Sequence, residues 1–201
     1  MYYIIMETLI IHISGASGAG KNTLGKKIKE YFRSRIVLKD LDDLRDEFMK
    51  EFNVGITWTD NDERKYQSYI DDYIYKQRKP IVFVGLNDNT VYGKNKKLYY
   101  NLHSQYNYYI EIDDMIIIKQ KFVRLLNDIQ TDKNAMDELV SNNERFLVKF
   151  TEAIERECNA KQIIKQNSKW KRDYEKRSYK FMSRENIYRS VVQILQKTSS
   201  K

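Results

Sequence analysis

The chain has 201 residues, a single cysteine and a formal charge of +8 from 36 Lys/Arg against 28 Asp/Glu. That length favours one domain over residues 1–201 with a sheet covered on both faces. One cysteine, Cys158, excludes an internal disulfide framework and fits a reducing, cytoplasmic setting, and no apolar run approaches the ~20 residues of a membrane span. The first 14 residues are apolar without the basic n-region or small-residue cleavage site of a signal peptide, so they read as a short leader and a strand, with Met6 as an alternative start. Lys, Ile, Asn and Tyr are abundant and Pro80 is the one proline, a composition typical of AT-rich coding sequence.

In chain order, the apolar run over about 8–14 predicts strand 1, and about 20–33 a helix with Leu24, Ile28, Tyr31 and Phe32 on one side. A short strand, Ile36-Val37-Leu38, runs into Lys39-Asp40-Leu41-Asp42-Asp43, and a second helix follows with Leu44, Phe48, Met49 and Phe52. Residues 62–78 read as a third helix. Pro80 opens Ile81-Val82-Phe83-Val84, an unbroken run suited to a strand covered on both faces. A polar, tyrosine-bearing stretch leads to a strand at Tyr108–Ile112 and a helix over 114–127. After a polar bend at Gln130–Asn134, the pattern Met136, Leu139, Val140, Phe146, Leu147, Phe150, Ile154 predicts one apolar stripe packed as core. The last helix covers about 184–197. Alternating strands and helices predict an α/β fold with a mostly parallel sheet and its ligand at the C-terminal edge of the strands.

The strongest chemical signal lies between strand 1 and helix 1, where residues 15–23 read Gly-Ala-Ser-Gly-Ala-Gly-Lys-Asn-Thr. Glycines let backbone N–H groups crowd around phosphate oxygens, the helix N-terminus adds partial positive charge, and Lys21 adds a full one. The plainer reading is a tight turn with a solvated lysine. The spacing of Gly15, Gly20 and Lys21 resembles the Walker A loop of P-loop nucleotide-binding proteins, and Gly15, Ala16, Ser17, Gly18, Ala19, Gly20, Lys21, Asn22 and Thr23 are the implied ATP-contacting residues. After the lysine, where Ser or Thr normally ligates Mg2+, stands Asn22 with Thr23 next, a pattern similar to adenylate-kinase-like enzymes. The resemblance implies a P-loop NTPase three-layer sandwich with helices on both faces, a core over about 8–127, and a lid and helical C-terminal extension over about 128–201.

Asp42-Asp43-Leu44-Arg45, at the end of the second strand, resembles the Asp-Asp-x-Arg element of polynucleotide 5′-kinases and zeta-toxin-like kinases. That resemblance makes Asp42 the group taking the acceptor hydroxyl's proton and Arg45 the holder of an acceptor phosphate. Asp40 and Asp42 are also similar to the Asp-x-Asp of shikimate-kinase-like enzymes, which with Asn22 gives a metal set of Asn22, Asp40 and Asp42. The alternative for Asp42 and Asp43 is helix capping. At the end of the third strand Gly85 stands where a Walker B Asp is expected, with Asp88 three residues on. Lys121, Arg124 and the Gln130–Asn134 bend occupy the stretch that matches the lid of nucleoside-monophosphate-kinase-like enzymes, and that resemblance implies Arg124 as the charge-offsetting catalytic arginine. His12 reads as a packed strand histidine and Cys158 as structural.

Ten Lys/Arg against three Asp/Glu fall in residues 156–184, a segment that could follow a nucleic-acid backbone with Trp170, Tyr174 and Tyr179 stacking on bases, or simply be a solvated helical face. These features together predict a kinase using ATP and Mg2+ to phosphorylate a small acceptor such as a nucleotide or nucleoside. A polynucleotide 5′-hydroxyl kinase and a nucleotide-binding protein without turnover are the alternatives. No membrane partner is expected.

Overall fold

The computed structural model describes residues 8–88 and 98–199; the leader with Met6, and part of the tyrosine-bearing stretch before strand 4, lie outside them. Two compact units emerge. The first comprises residues up to Gly15, Gly20–Ile110 and the chain from Ser178 onward; the second comprises Ala16–Ala19 and Glu111–Arg177.

The first unit holds five strands, β1 (Ile10–Gly15), β2 (Val37–Asp40), β3 (Ile81–Val84), β4 (Tyr106–Ile110) and β5 (Lys180–Met182). They form one sheet in the order β2-β3-β1-β4-β5, every neighbouring pair parallel. Its helices are α1 (Lys21–Phe32), α2 (Leu41–Glu51), α3 (Asp60–Tyr75) and α8 (Arg184–Ser199). Every residue of β1 and β3 is buried, as a parallel sheet covered on both sides requires.

The period-2 alternation of the strands sorts their side chains. Ile10, Ile81 and Phe83 pack with Leu41, Leu44 and Phe48 of α2 and with Tyr66 and Ile70 of α3. Aromatic rings dominate that layer: Phe48 meets Trp58 and Tyr66 at centroid distances of 5.2 Å each. The other parity faces α1, where a Cβ on Gly25 would stand 2.9 Å from both Leu38 Cδ1 and Val84 Cγ1. Helix α8 covers β4 on the same side as α1, burying Ile187, Val191 and Leu195.

The second unit is helical: α4 (Asp114–Thr131), α5 (Lys133–Ser141), α6 (Asn143–Cys158) and α7 (Ala160–Glu175). Asn142 and Asn159 break what would otherwise be one long helix, their side chains accepting from the amides of Arg145 and Gln162. α4 runs through Thr131, so the expected polar bend narrows to Asp132, which ends α4 and caps α5.

Three expectations need correction. The Met136–Ile154 stripe is not core: α5 and α6 contain no fully buried residue, and Val140 and Leu147 are exposed. β5 went unrecognised because its three residues sit inside a lysine-rich run. β4 begins and ends two residues earlier than expected, since it pairs with β1 from Ile11 to Gly15. Because Gly25 lets α1 touch the sheet, Gly25→Val should overpack this contact and lower unfolding free energy by about 1–3 kcal/mol, read as a fall in the urea midpoint.

Candidate functional site

Helix α1 starts unlike its neighbours. Each of the other α-helices begins on a capping side chain: Asp40, Thr59, Asp113, Asp132, Asn142, Asn159 and Ser183. The α1 cap is Gly20, left-handed at φ +80°, with no side chain to offer and no acidic residue in the first turn. Its leading N–H groups thus have no side chain capping them, where helix starts commonly have one. Gly18 is also left-handed at φ +86°, a conformation only glycine adopts without strain, and the Ala19 amide donates to the Ala16 carbonyl at 3.0 Å.

Lys21 folds back over this end, its Nζ donating to the Gly15 carbonyl oxygen at 3.0 Å. A methyl built on Gly20 would come within 2.7 Å of Arg184 Nη1, so the guanidinium of a residue at the start of α8 rests on the glycine that caps α1. Two cations therefore crowd the positive end of a helix dipole, where a negative group is the stabilising one. Burial pushes Lys21 down to about 8, against the attraction of Asp42 and Asp40. Arg184 escaped the sequence reading as a site residue because β5, which places it, was not recognised.

The end of β2 supplies the acidic half. Strand alternation turns Asp40, in register with Val84, toward the α1 face, where its Oδ2 accepts from Asn22 Nδ2 at 2.5 Å. Its Oδ1 accepts the Asp42 amide at 3.0 Å, which makes Asp40, and neither Asp42 nor Asp43, the cap of α2. Burial raises the Asp40 carboxyl above its ordinary value. Gly85, at φ +127°, would place a Cβ 3.4 Å from Asp40 Oδ1 and 3.0 Å from Leu41 Cβ. The missing Walker B carboxylate thus has a steric reason: the Asp40 carboxylate and the start of α2 crowd the end of β3.

Asp42 is exposed, and its Oδ1 accepts from Arg45 Nη1 at 2.8 Å. Arg45 itself is buried, its Nη2 donating to the carbonyl oxygens of Leu86 at 3.4 Å and Asp88 at 3.3 Å. It fastens the segment leaving β3 to the first turns of α2. Asp88 is fully buried. Beneath, His12 Nε2 donates to the Gly85 carbonyl at 3.0 Å, which leaves Nδ1 to accept from the Tyr179 hydroxyl at 2.6 Å; the histidine is packed within the sheet.

Lys21, Asn22, Asp40, Asp42 and Arg45 thus come together in the first unit. Arg124 lies in the second, exposed on α4 beside Asp128 at 3.8 Å; Lys121 Nζ donates to the Glu157 carbonyl at 3.4 Å. Trp170, Tyr174 and Tyr179 are buried, which removes the stacking role expected of them. A surface groove of about 390 Å³ on α2 and α3, lined by Phe52, Arg64, Tyr69 and Tyr73 among others, includes none of the site residues. Among the described residues no cluster of three or more His, Cys, Asp or Glu is placed to hold a metal ion by itself. Two carboxylates with an amide oxygen do match Mg2+, which takes one or two protein carboxylates and completes its shell with phosphate oxygens and water.

No family model matches the sequence, and no curated protein does. Solved structures that the chain resembles include an uncharacterized protein from Eubacterium ventriosum, at 15% identity over 94% of this chain and 99% of that one, with a TM-score of 0.43. A shikimate kinase from Acinetobacter baumannii in complex with shikimate is 13% identical over 97% of each chain, with a TM-score of 0.40. A gluconokinase from Sinorhizobium meliloti is 15% identical over 57% of this chain and 63% of its own, with a TM-score of 0.33. On its own strand order, with a glycine loop leading from the central strand into α1, the chain has the parallel five-stranded α/β fold of P-loop kinases.

Proposed function

We propose that the protein is an ATP-dependent phosphotransferase acting on a small acceptor such as a nucleotide or nucleoside. The observation that carries this reading is the start of α1: an uncapped, acid-free helix end on which Lys21 and Arg184 converge. Like charge gathered on a positive dipole is stabilised by a polyanion, and phosphate oxygens are the acceptors that an uncapped helix N-terminus suits.

Phosphoryl transfer asks of the protein mainly positioning and charge neutralisation. In this reading Lys21 and the amides of Gly20–Thr23 hold the β- and γ-phosphates, and Arg184 adds a second cation beside Gly20. Asp42, oriented by Arg45, takes the proton of the attacking hydroxyl. Asn22, Asp40 and Asp42 would hold Mg2+, which offsets charge on the phosphates when bound. The resemblance to lid-bearing kinases also gives Arg124 a charge-offsetting part. The engagement of both Arg45 Nη atoms inside the protein favours a positioning role for that arginine over capture of an acceptor phosphate, and so a small acceptor over a polynucleotide end.

Two outcomes test this. ADP release should appear with at least one member of a panel of nucleosides, nucleoside monophosphates and small hydroxy acids, and Lys21→Ala should lower it about a thousandfold, the scale of losing one transition-state donor; undiminished release would contradict the assignment. Second, burial pushes Lys21 down to about 8, and a bound polyanion raises that value. Binding at pH 9 should therefore take up close to one proton, and affinity should fall as pH rises through 8. In the free protein the same displacement makes stability rise with pH between about 8 and 10.5, where unfolded Lys21 keeps the proton that folded Lys21 has lost. Calorimetry of ATP binding in buffers of different ionisation heat should record the uptake in the wild type and none in Lys21→Arg.

A further inference from the structure

The basic segment resolves, once folded, into an ordered line. On α7 and its C-cap residue, Lys161, Lys165, Lys169, Arg172 and Lys176 are all exposed, while Ile163, Asn167, Trp170 and Tyr174 form the buried side of the same helix. At 3.6 residues per turn the five cations fall within roughly 80° of the helix circumference, opposite the buried four. No acidic residue shares that sector, and among the described residues none of the five side chains has an ion-pair or hydrogen-bond partner. Lysine-rich composition explains the number of these cations but not their alignment.

We propose that this ridge of α7 binds the phosphate backbone of a nucleic-acid duplex without reading its sequence. With a rise of 1.5 Å per residue the ridge is straight for about 22 Å, one cation every ~4–6 Å. Along a duplex one strand presents a phosphate every ~3.4 Å of axis, so the ridge faces about six of them. The aromatic residues of the segment are buried, which removes the stacking platform that single-strand binders use and leaves charge as the means of recognition. A membrane-lying helix needs a broad apolar side beside its cations, whereas Ile163, Trp170 and Tyr174 of α7 are buried and Ile164 is the one large apolar residue of that helix left exposed. A protein partner needs a desolvated centre with aromatic or aliphatic anchors, and the ridge offers lysine and arginine alone.

The test measures binding of the full chain to fluorescent 20-base-pair DNA and RNA duplexes by anisotropy across salt concentrations, with single-stranded oligonucleotides, phosphatidylserine vesicles and polyglutamate as separate arms. Binding to either duplex is expected with a log–log salt slope of about −4.5, a loss of about five-hundredfold between 50 and 200 mM salt; the two duplexes distinguish DNA from RNA as the source of the phosphates. The variant Lys161→Gln/Lys165→Gln/Lys169→Gln/Arg172→Gln/Lys176→Gln should abolish that slope. The control Lys26→Gln/Lys50→Gln/Lys119→Gln/Lys133→Gln/Lys197→Gln, which removes the same charge from scattered exposed positions, should leave most of it. Helix content by circular dichroism checks both variants, and protection of the five ridge side chains from acetylation or glyoxal modification in the wild type gives a readout independent of them. Equal losses in the two variants, tighter single-strand binding, absence of protection, or binding confined to vesicles or polyglutamate would each overturn the proposal.

Discussion

The rest of the site depends on an electrostatic mismatch: α1 begins with no capping side chain, its dipole positive, and two basic side chains drawn onto it. Such an arrangement is held only because other parts of the fold insist on it. Gly18 and Gly20 take left-handed conformations that keep Cβ atoms out of the way, and Gly20 leaves room for Arg184 where a methyl would collide. Burial favours the neutral form of Lys21, while the carboxylates of Asp40 and Asp42 pull the other way. The acidic residues moderate the mismatch without cancelling it, since Asp40 is already engaged by Asn22 and by the Asp42 amide.

Strand parity converts this local tension into a built site. A one-residue slip of β2 would send Asp40 to the α2–α3 side, where Lys39 now meets Glu47 at 2.6 Å. The register that puts Lys39 beside Phe83 puts Asp40 beside Val84, facing α1. Arg45 and His12 then fasten the exit of β3 from two directions, one through the Leu86 and Asp88 carbonyls and the other through Gly85. The fixing groups Arg45 and His12 are buried while Asp42 and Asp43 stand in solvent, a division that suits a surface meant to receive a second molecule.

Much of this was legible in the residues. β1 and β3 stand out as unbroken apolar runs, and the glycine spacing marks the turn into α1. The Asp40-Leu41-Asp42-Asp43 run marked the right strand end, although periodicity did not tell which acid caps the helix; that depends on Asp40 being the last residue in extended conformation. β5 was hidden because three residues in a lysine-rich stretch carry no period, and Arg184 was hidden with it. The apolar stripe of α5 and α6 was visible, but its burial was not, because a helical period shows which residues share a face and not what covers that face. Trp170 and Tyr174 illustrate the converse: basic neighbours made them look like nucleic-acid contacts, whereas the 3.6-residue repeat turns them away from the lysines.

The return of the chain to the first unit after residue 177 bears on how the protein is made. β5 and α8 leave the ribosome after the whole helical unit, yet β5 pairs with β4 and α8 packs against α1. At synthesis rates of about 5–20 residues per second, β4 waits several seconds with an open edge, and the Nδ1 of His12 waits longer still for Tyr179. Until β5 emerges, nascent β4 presents the edge that β5 later pairs, and that interval is the one in which strand-to-strand association has to be avoided.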